Sequence, residues 1–292
     1  MRELQDRLDS LQTLGEAVGA MKSVSAHHFR EARRALEPTR AYREGLQGVL
    51  RSTGALLPAG SGGVGLVVLG GELGFCGSYN ARVTAEAVRL RREHGPGPTY
   101  CVGRRAESHL RRQGVEPDRT YSAPTVVGGA TELLLRLAAD ILGDYVEQDL
   151  SAFDLLANRF QGVGSFEPRA ARLLPVVVSR ADDAPVARYV SAGHLADVAV
   201  REALYITMVE LLLDAMTSEH GARLVATQSA EHWLDGRVTE LRRRLSSARR
   251  EANTQEVIEV ASGVRARARA ARHSGLPQDA EPGASAGAHR DS

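Results

Sequence analysis

The sequence has few aromatic residues and no long apolar run. Aromatic residues make up 4% of the 292 residues, although hydrophobic residues together make up 43%. The apolar side chains are therefore mostly Leu, Val and Ala, which favour long helices over an aromatic β-rich core. No apolar run reaches the roughly 18–20 residues that span a bilayer, and the first residues lack the apolar segment of a signal peptide. We therefore expect a soluble, cytosolic chain.

Cysteine, lysine and excess charge are also scarce. Cys76 and Cys101 are the two cysteines, too few for a disulfide framework or a cysteine metal cluster, so we expect buried free thiols. The net charge of +1 argues against a globally basic nucleic-acid binder, since that class carries a marked excess of Lys and Arg. Lys22 is the only lysine.

The first part of the chain is predicted to be a long amphipathic helix. Residues 2–36 contain no proline, and apolar residues recur there at steps of three and four or their multiples, the spacing of one helical face. These residues are Leu4, Leu8, Leu11, Val18, Met21, Phe29 and Ala32. Pro38 is expected to kink or interrupt the helix, because proline lacks the N–H for an i to i−4 bond, before helix resumes over residues 42–50.

The last third of the chain is predicted to be a second long helix. Residues 191–271 contain no proline, and alternating steps of four and three continue for about three heptads, which is typical of a coiled coil. The heptad positions are Leu234, Val238, Leu241, Leu245, Ala248, Ala252 and Gln255. A helix this long needs a partner. We therefore predict that the two ends form a long antiparallel coiled coil.

Between the two helices the pattern changes to that of a small α/β domain with a mostly parallel sheet. Residues 56–63 are expected to be a linker, and short apolar runs predict strands at 64–69, 99–102 and 153–157. Helices are predicted at 81–93 and 131–145. The expected domains are residues 1–57, the N-terminal coiled-coil helix; 64–178, the α/β domain; 191–272, the C-terminal coiled-coil helix; and 273–292, a disordered tail.

No catalytic constellation is apparent in the sequence. The glycine-rich loop at residues 70–77 follows a strand, but it lacks G-x-G-x-x-G and the lysine of a Walker A loop, so a tight turn is favoured over a phosphate site. His27 and His28 are adjacent on a helix and point about 100° apart, which is expected to keep both from ligating one metal ion. Arginine clusters at 33–34, 242–244 and 249–250 have acidic neighbours, which favours solvated helix faces or protein contacts over nucleic acid.

Three patches of sequence resemble the gamma subunit of F-type ATP synthases. Residues 20–26 and 29–32 are similar to that family's N-terminal helix motif, Ala-Met-x-x-Val-Ser/Ala-Ala followed by a basic turn. Residues 74–80, Gly-Phe-Cys-Gly-Ser-Tyr-Asn, are similar to Gly-Leu-Cys-Gly-x-x-Asn. The most specific patch, 218–226 and on to 248–256, is similar to the C-terminal signature. The resemblance covers about residues 1–266.

The resemblance implies a rotor shaft without catalytic residues, cofactor or metal of its own. The implied partners are three alpha and three beta subunits, the epsilon subunit and the membrane c-ring, with no nucleic acid. The implied location is peripheral, at the cytoplasmic face of the bacterial inner membrane. Motif positions imply shaft or partner contacts at Met21, Lys22, Val24, Arg223, Arg249, Thr254, Gln255 and Glu256.

The chain departs from the family pattern at several positions. Glu16 and Gly19 align with positions that are usually basic, and Leu245 and Ser246 replace a usual Tyr-Asn pair. These departures and the tail after about Ala266 favour, as a hypothesis, an alternate version of the complex such as a sodium-translocating one. The coupled ion and the preferred direction of the reaction stay open.

Two other classes of function remain as alternatives. A coiled-coil scaffold with an inserted α/β ligand-binding domain would self-associate and bind a nucleotide on its own. An arginine-rich helical nucleic-acid binder would show salt-sensitive binding to DNA or RNA. The shaft interpretation instead predicts tight assembly with alpha and beta subunits.

Overall fold

A computed structural model describes residues 2–53, 56–177 and 191–273. The helices are α1 Arg2–Thr53, α2 Tyr79–His94, α3 Arg104–Arg112, α4 Ala130–Glu147 and α5 Ala192–His273, with a 3-10 turn at Val127–Gly129. The strands are β1 Leu56–Leu57, β2 Val64–Leu69, β3 Thr99–Val102, β4 Arg119–Tyr121, β5 Ala152–Gly162, β6 Ser165–Leu174 and β7 Val176–Val177. None of the described helices is long and apolar enough to span a membrane.

The central sheet has five strands in the order β4-β3-β2-β5-β6. Strands β4, β3, β2 and β5 are parallel, and β6 is antiparallel to β5. The prediction of a mostly parallel sheet is therefore confirmed. The hairpin of β5 and β6 was not predicted beyond residue 157, because β6 is an edge strand whose exposed charged residues conceal the apolar run expected of a buried strand.

Both faces of the central strands are buried. Val67 and Leu69 contribute to a core cluster with α4 and α5, whereas Leu66 and Val68 contribute to a second cluster with α2 and α3. Successive residues of a strand point to opposite faces, so helices on both sides require an uninterrupted apolar strand. This explains why the run at residues 64–69 does not alternate with polar residues.

The chain divides into two compact units, and the larger one contains residues 13–235. In this unit α1 and α5 pair in antiparallel fashion: Lys22 Nζ lies 2.6 Å from Glu231 Oε2, and Arg40 Nε lies 3.2 Å from Glu210 Oε1. The later residue of α1 therefore pairs with the earlier residue of α5, as in two helices that run in opposite directions. The α/β domain belongs to the same unit, and Tyr79 and Ser218 hold it to α5 by hydrogen bonds described below.

The smaller unit includes the described residues 2–12 and 236–273. Here Arg249 Nη2 donates to Gln5 Oε1 at 3.5 Å, and Leu8 and Leu245 are both buried. The predicted heptad positions from Val238 to Ala248 are buried or half-buried, but Ala252 and Gln255 are exposed, so the heptad prediction is wrong for those two. The reason is that α5 continues past the level at which α1 begins.

Pro38 does not interrupt the first helix. Helix α1 is continuous from Arg2 to Thr53 with Pro38 inside it, so the predicted interruption is wrong. Pro38 is exposed, and on an exposed face water can bond the carbonyl group that loses its intrahelical donor. At the residue that follows Pro38, the Thr39 hydroxyl donates to the Ala35 carbonyl oxygen at 2.7 Å.

Several short elements were missed by the sequence reading. Helix α3 and strand β4 lie in a segment without a strong apolar pattern, and β1, inside the expected linker, pairs antiparallel with β7. The expected N-terminal helix to residue 57 ends at Thr53, and α5 extends to His273. The expected tail otherwise lies outside the described residues.

Candidate functional site

The glycine-rich loop at residues 70–77 turns its carbonyl oxygens, rather than a set of free amides, toward its neighbour. The Gly71 N–H donates to Asn80 Oδ1 at 2.7 Å, and Asn80 Nδ2 donates to Cys76 Sγ at 3.4 Å. The carbonyl oxygens of Leu73 and Gly74 accept hydrogen bonds from Arg223. A phosphate site needs converging N–H donors. The carbonyl oxygens of this loop instead bind the Arg223 guanidinium, which agrees with the prediction of a tight turn rather than a phosphate site.

Arg223 is the buried charge that the loop surrounds. It is 3% exposed, and its Nε donates to Gly74 O at 3.0 Å while Nη2 donates to Leu73 O at 3.4 Å. Nη2 also forms an ion pair with Glu219 one turn earlier in α5, and Nη1 lies 3.2 Å from His220 Nδ1. Each of the three guanidinium nitrogens therefore has at least one partner, so most of the five N–H donors of Arg223 are hydrogen-bonded.

The carboxylates around Arg223 have opposite pKa shifts. Burial raises the pKa of Glu219, although the Arg223 guanidinium acts against this rise. For Glu72 burial also acts to raise the pKa, but the N–H groups of Arg104 and Ala123 and the Arg104 guanidinium outweigh it, so the pKa of Glu72 is lowered. Glu72 is therefore ionised at neutral pH and holds the loop to the start of α3, since an ionised carboxylate accepts these bonds best.

His220 is a neutral imidazole in this cluster. Burial and the neighbouring charges of Arg223 and His28 lower the pKa of His220 to about 3. Because an arginine only donates, His220 Nδ1 accepts from Arg223 and the ring proton lies on Nε2. The ring packs against His28 of α1 with centroids 5.3 Å apart.

A cavity of about 370 Å³ lies against this cluster, within the larger unit. Helix α1 contributes Met21, Val24 and His28 to its wall, and α5 contributes His220 and Arg223. The loop residues Glu72, Leu73, Pro124 and Thr125 complete most of the wall. Three of the eight residues implied by the resemblance, Met21, Val24 and Arg223, therefore lie together.

The α/β domain is fastened to α5 by a chain of hydrogen bonds that sequence reasoning missed. The Tyr79 hydroxyl donates to the Ala215 carbonyl oxygen at 3.1 Å, and Asn158 Nδ2 donates to the Tyr79 carbonyl oxygen at 3.0 Å. The Ser218 hydroxyl donates to the Asn158 carbonyl oxygen at 3.1 Å. Tyr79, Asn158 and Ser218 are all buried, which makes these bonds costly to break. The Tyr79–Asn80 pair in the loop motif was the available signal.

The other end of α5, in the smaller unit, is an exposed helical surface. Every side chain from Arg249 to Ala270 is exposed. Thr254 Oγ1 donates to the Arg250 carbonyl oxygen at 2.8 Å and Gln255 Nε2 to Glu259 Oε1 at 3.3 Å, both within α5. Four apolar side chains are 53–66% exposed on this stretch: Val257, Ile258, Val260 and Val264. Val257, Val260 and Val264 recur at steps of three and four, the spacing of one helical face, and this signal was present in the sequence.

Comparison with known proteins gives this arrangement its family. The sequence matches the family model described as ATP synthase over residues 1–266. It is 30% identical over 280 residues to the ATP synthase gamma chain of Moorella thermoacetica, covering 90% of this chain and 97% of that one. The chain belongs to the ATP synthase gamma-chain family. The gamma chain of Geobacter metallireducens is 28% identical over 286 residues, with 90% and 97% covered.

Solved structures support the same fold for this gamma-family chain. A chain of the Euglena gracilis mitochondrial ATP synthase, in its OSCP/F1/c-ring assembly, has a TM-score of 0.63 at 14% identity and covers 96% of this chain and 98% of its own. A chain of the Tetrahymena thermophila central stalk/c-ring structure has a TM-score of 0.54 at 19% identity, covering 73% and 99%. The family resemblance read from the three sequence patches is thus confirmed.

The gamma-family motif residues fall into two groups by environment. Arg223 is buried and serves the fold directly, Lys22 is partly exposed and paired with Glu231, and Val24 is 55% exposed. Arg249, Thr254, Gln255 and Glu256 are exposed on α5. Only side chains that reach solvent in the isolated chain are available to another subunit, so a contact role for these residues remains a prediction, and Arg223 is better placed to position the loop.

The histidines of α1 lie closer together than their helical directions suggest. His27 and His28 were expected not to ligate one metal ion, because adjacent helical residues point about 100° apart. Ligand atoms of His27, His28 and Glu31 nevertheless all lie within 4.8 Å of one another. This proximity does not test metal binding, so the expectation stays a prediction.

Proposed function

We propose that this chain is the rotating central-stalk subunit of an F-type ATP synthase and has no active site of its own. The observation that carries the proposal is the gamma-family match over residues 1–266, joined to an antiparallel pair of long helices with an inserted α/β domain. ATP chemistry would then belong to the beta subunits. The chain would couple ion flow through the membrane sector to ATP synthesis or hydrolysis.

The proposed partners are three alpha and three beta subunits around the helices, with the epsilon subunit and the c-ring at the α/β domain. The exposed apolar side chains Val257, Ile258, Val260 and Val264 support an apolar partner for the end of α5. Arg249, Thr254, Gln255 and Glu256 lie on the same exposed stretch and would supply polar contacts. Met21, Lys22 and Val24 would make contacts at the level of the cavity.

The contacts within the larger unit suit the transmission of torque. Torque applied to the α/β domain reaches α5 through the Tyr79–Ala215 and Ser218–Asn158 hydrogen bonds and through the loop held on Arg223. Buried and mutually satisfied polar groups resist displacement because each broken bond leaves a desolvated partner. A rotating asymmetric shaft would then favour a different conformation of each beta subunit in turn, through differences in contact energy.

The proposed location is peripheral, at the cytoplasmic face of the bacterial inner membrane, through assembly with the complex. The hypothesis of an alternate, sodium-translocating complex also stays a proposal, motivated by Glu16, Gly19, Leu245 and Ser246. Reconstituting the whole complex in vesicles tests it. ATP-driven sodium uptake would support the hypothesis, and proton pumping that is indifferent to sodium would remove it.

A rotation assay tests the main proposal. The chain carrying Arg112→Cys, an exposed position in α3, would be labelled with biotin, since Cys76 and Cys101 are buried. It would be co-expressed with alpha and beta subunits, the complex fixed by its beta subunits, and a bead attached at the biotin. We expect continuous one-way rotation that requires ATP. Failure to assemble, or active complexes with a stationary bead, would exclude the rotor function.

A further inference from the structure

Two histidines and a glutamate of α1 form a compact group that the rotor proposal does not use. On a helix, with about 100° between successive residues, Glu31 projects about 40° from His27 and about 60° from His28. Glu31 thus lies between the two histidines in direction and one turn further along. Ligand atoms of all three side chains lie within 4.8 Å of one another.

These three side chains have the chemistry of a zinc site. Two imidazoles and one carboxylate are a ligand set that catalytic zinc sites use, with water in the fourth position. Zinc bonds of about 2.0–2.2 Å place ligand atoms on the order of 3.4 Å apart, so modest side-chain rotation would complete the geometry. His28 Nδ1 already lies 3.3 Å from Glu31 Oε2. Calcium and magnesium are disfavoured, because they prefer oxygen ligands throughout.

The surroundings leave the group open to an ion while fixing one of its members. His27 is exposed, whereas the side chain of His28 is 15% exposed and packs against His220. The charge of Arg223 is balanced by its ion pair with Glu219. One imidazole held by packing and one exposed imidazole are an arrangement that can accommodate an ion.

We propose that His27, His28 and Glu31 bind one zinc ion on α1, with water completing its coordination. This inference does not depend on the rotor function, because it rests on the three side chains alone. A bound ion would add positive charge to this face of α1.

Equilibrium dialysis of the full-length chain, free of any histidine tag, against Zn²⁺ tests the proposal. We expect one ion per chain. His27→Ala, His28→Ala and Glu31→Gln are each expected to weaken binding by about 10-fold or more, since each removes one of three ligands. His232→Ala, an exposed histidine of α5, is the matched control and should bind as the unaltered chain does. Far-ultraviolet circular dichroism shows whether each variant keeps the helix content of the unaltered chain.

Co²⁺ substitution identifies the ligands independently. We expect visible absorption bands of a nitrogen and oxygen site that are lost in His27→Ala. A sulfur-to-cobalt charge-transfer band would assign the ion to a cysteine and overturn the proposal. It would equally be overturned if folded chain bound no zinc, or if the three variants bound zinc as tightly as His232→Ala.

Discussion

Arg223 shows how a single residue can join distant parts of this chain. It lies on α5, yet it bonds two carbonyl oxygens of the loop that follows β2. Its Glu219 partner has a side chain only 12% exposed. Breaking a buried pair by removing one partner is costly, because the other charge is left without compensation.

Arg223→Ala should therefore lower the free energy of unfolding by about 3–5 kcal/mol. Urea unfolding followed by circular dichroism measures this, with Arg242→Ala, at an exposed position of α5, as the control. Adding Glu219→Gln to Arg223→Ala should recover part of the loss, because no buried charge then remains. A loss equal to that of Arg242→Ala would show that Arg223 is not buried as described.

His220 should make stability depend on pH. Its folded-state pKa of about 3 lies below the ordinary value near 6.5, so the unfolded chain binds a proton that the folded chain excludes. The stabilisation is fully present above pH 6.5 and is lost as pH falls toward 3. Between pH 6.5 and 5 the expected slope approaches 1.4 kcal/mol per pH unit, about the limit for one group.

His220→Gln should flatten this slope, whereas His232→Gln, at an exposed position, should leave it unchanged. Urea midpoints at half-unit pH steps provide the comparison. Measuring the difference between variants above pH 5 separates His220 from most carboxylates. Identical slopes in all three proteins would mean that His220 can be protonated in the folded chain.

At the scale of elements, α1 contains Pro38 in its interior. The exposure of Pro38 lets the helix continue, but the proline still lowers the stability of the helix. Proline in a helix interior costs about 3 kcal/mol relative to alanine, although its rigidity also restricts the unfolded chain by up to about 1 kcal/mol. Pro38→Ala should therefore raise the free energy of unfolding by about 1–3 kcal/mol. Thermal melts would show it, with the neighbouring exposed Glu37→Ala as the control. An unchanged or lower melting temperature would mean that tertiary contacts favour proline there.

For the whole molecule, the exposed end of α5 should matter only in the assembled complex. Changing Val257, Ile258, Val260 and Val264 to Ser leaves the isolated chain equally stable, because all four side chains are already exposed. Burying each apolar side chain against a partner would contribute about 1–2 kcal/mol. We therefore expect several-fold less ATPase-active complex with alpha and beta subunits.

The matched control replaces exposed apolar residues of α4, Leu135→Ser and Val146→Ser. When it is combined with alpha and beta subunits alone, the chain with these two substitutions should assemble as the unaltered chain does. The complex should also have the same ATPase activity. Equal activity of the α5 variant and the control would exclude an apolar contact at this end of the shaft.

The amino-acid sequence by itself determined both long helices, three strands of the sheet, two of its helices and the family. Those features depend on local periodicity and on motifs that are contiguous in the chain, such as residues 74–80 and 248–256. The sequence predicted a kink or an interruption at Pro38. The interruption is wrong, because whether a proline ends a helix depends on the exposure of the affected carbonyl group. The sequence likewise missed α3, β4 and β6, whose apolar patterns are weak.

The tertiary structure alone decided which residues meet across large separations in the chain. No pattern in the sequence connects Tyr79 with Ala215, Arg223 with Gly74, or His28 with His220. These contacts arise because hydrophobic burial brings α1, α2 and α5 together and leaves their polar groups only one another as hydrogen-bond partners. Burial is a property of the folded chain, so the charges and pKa values that depend on it were fixed only there.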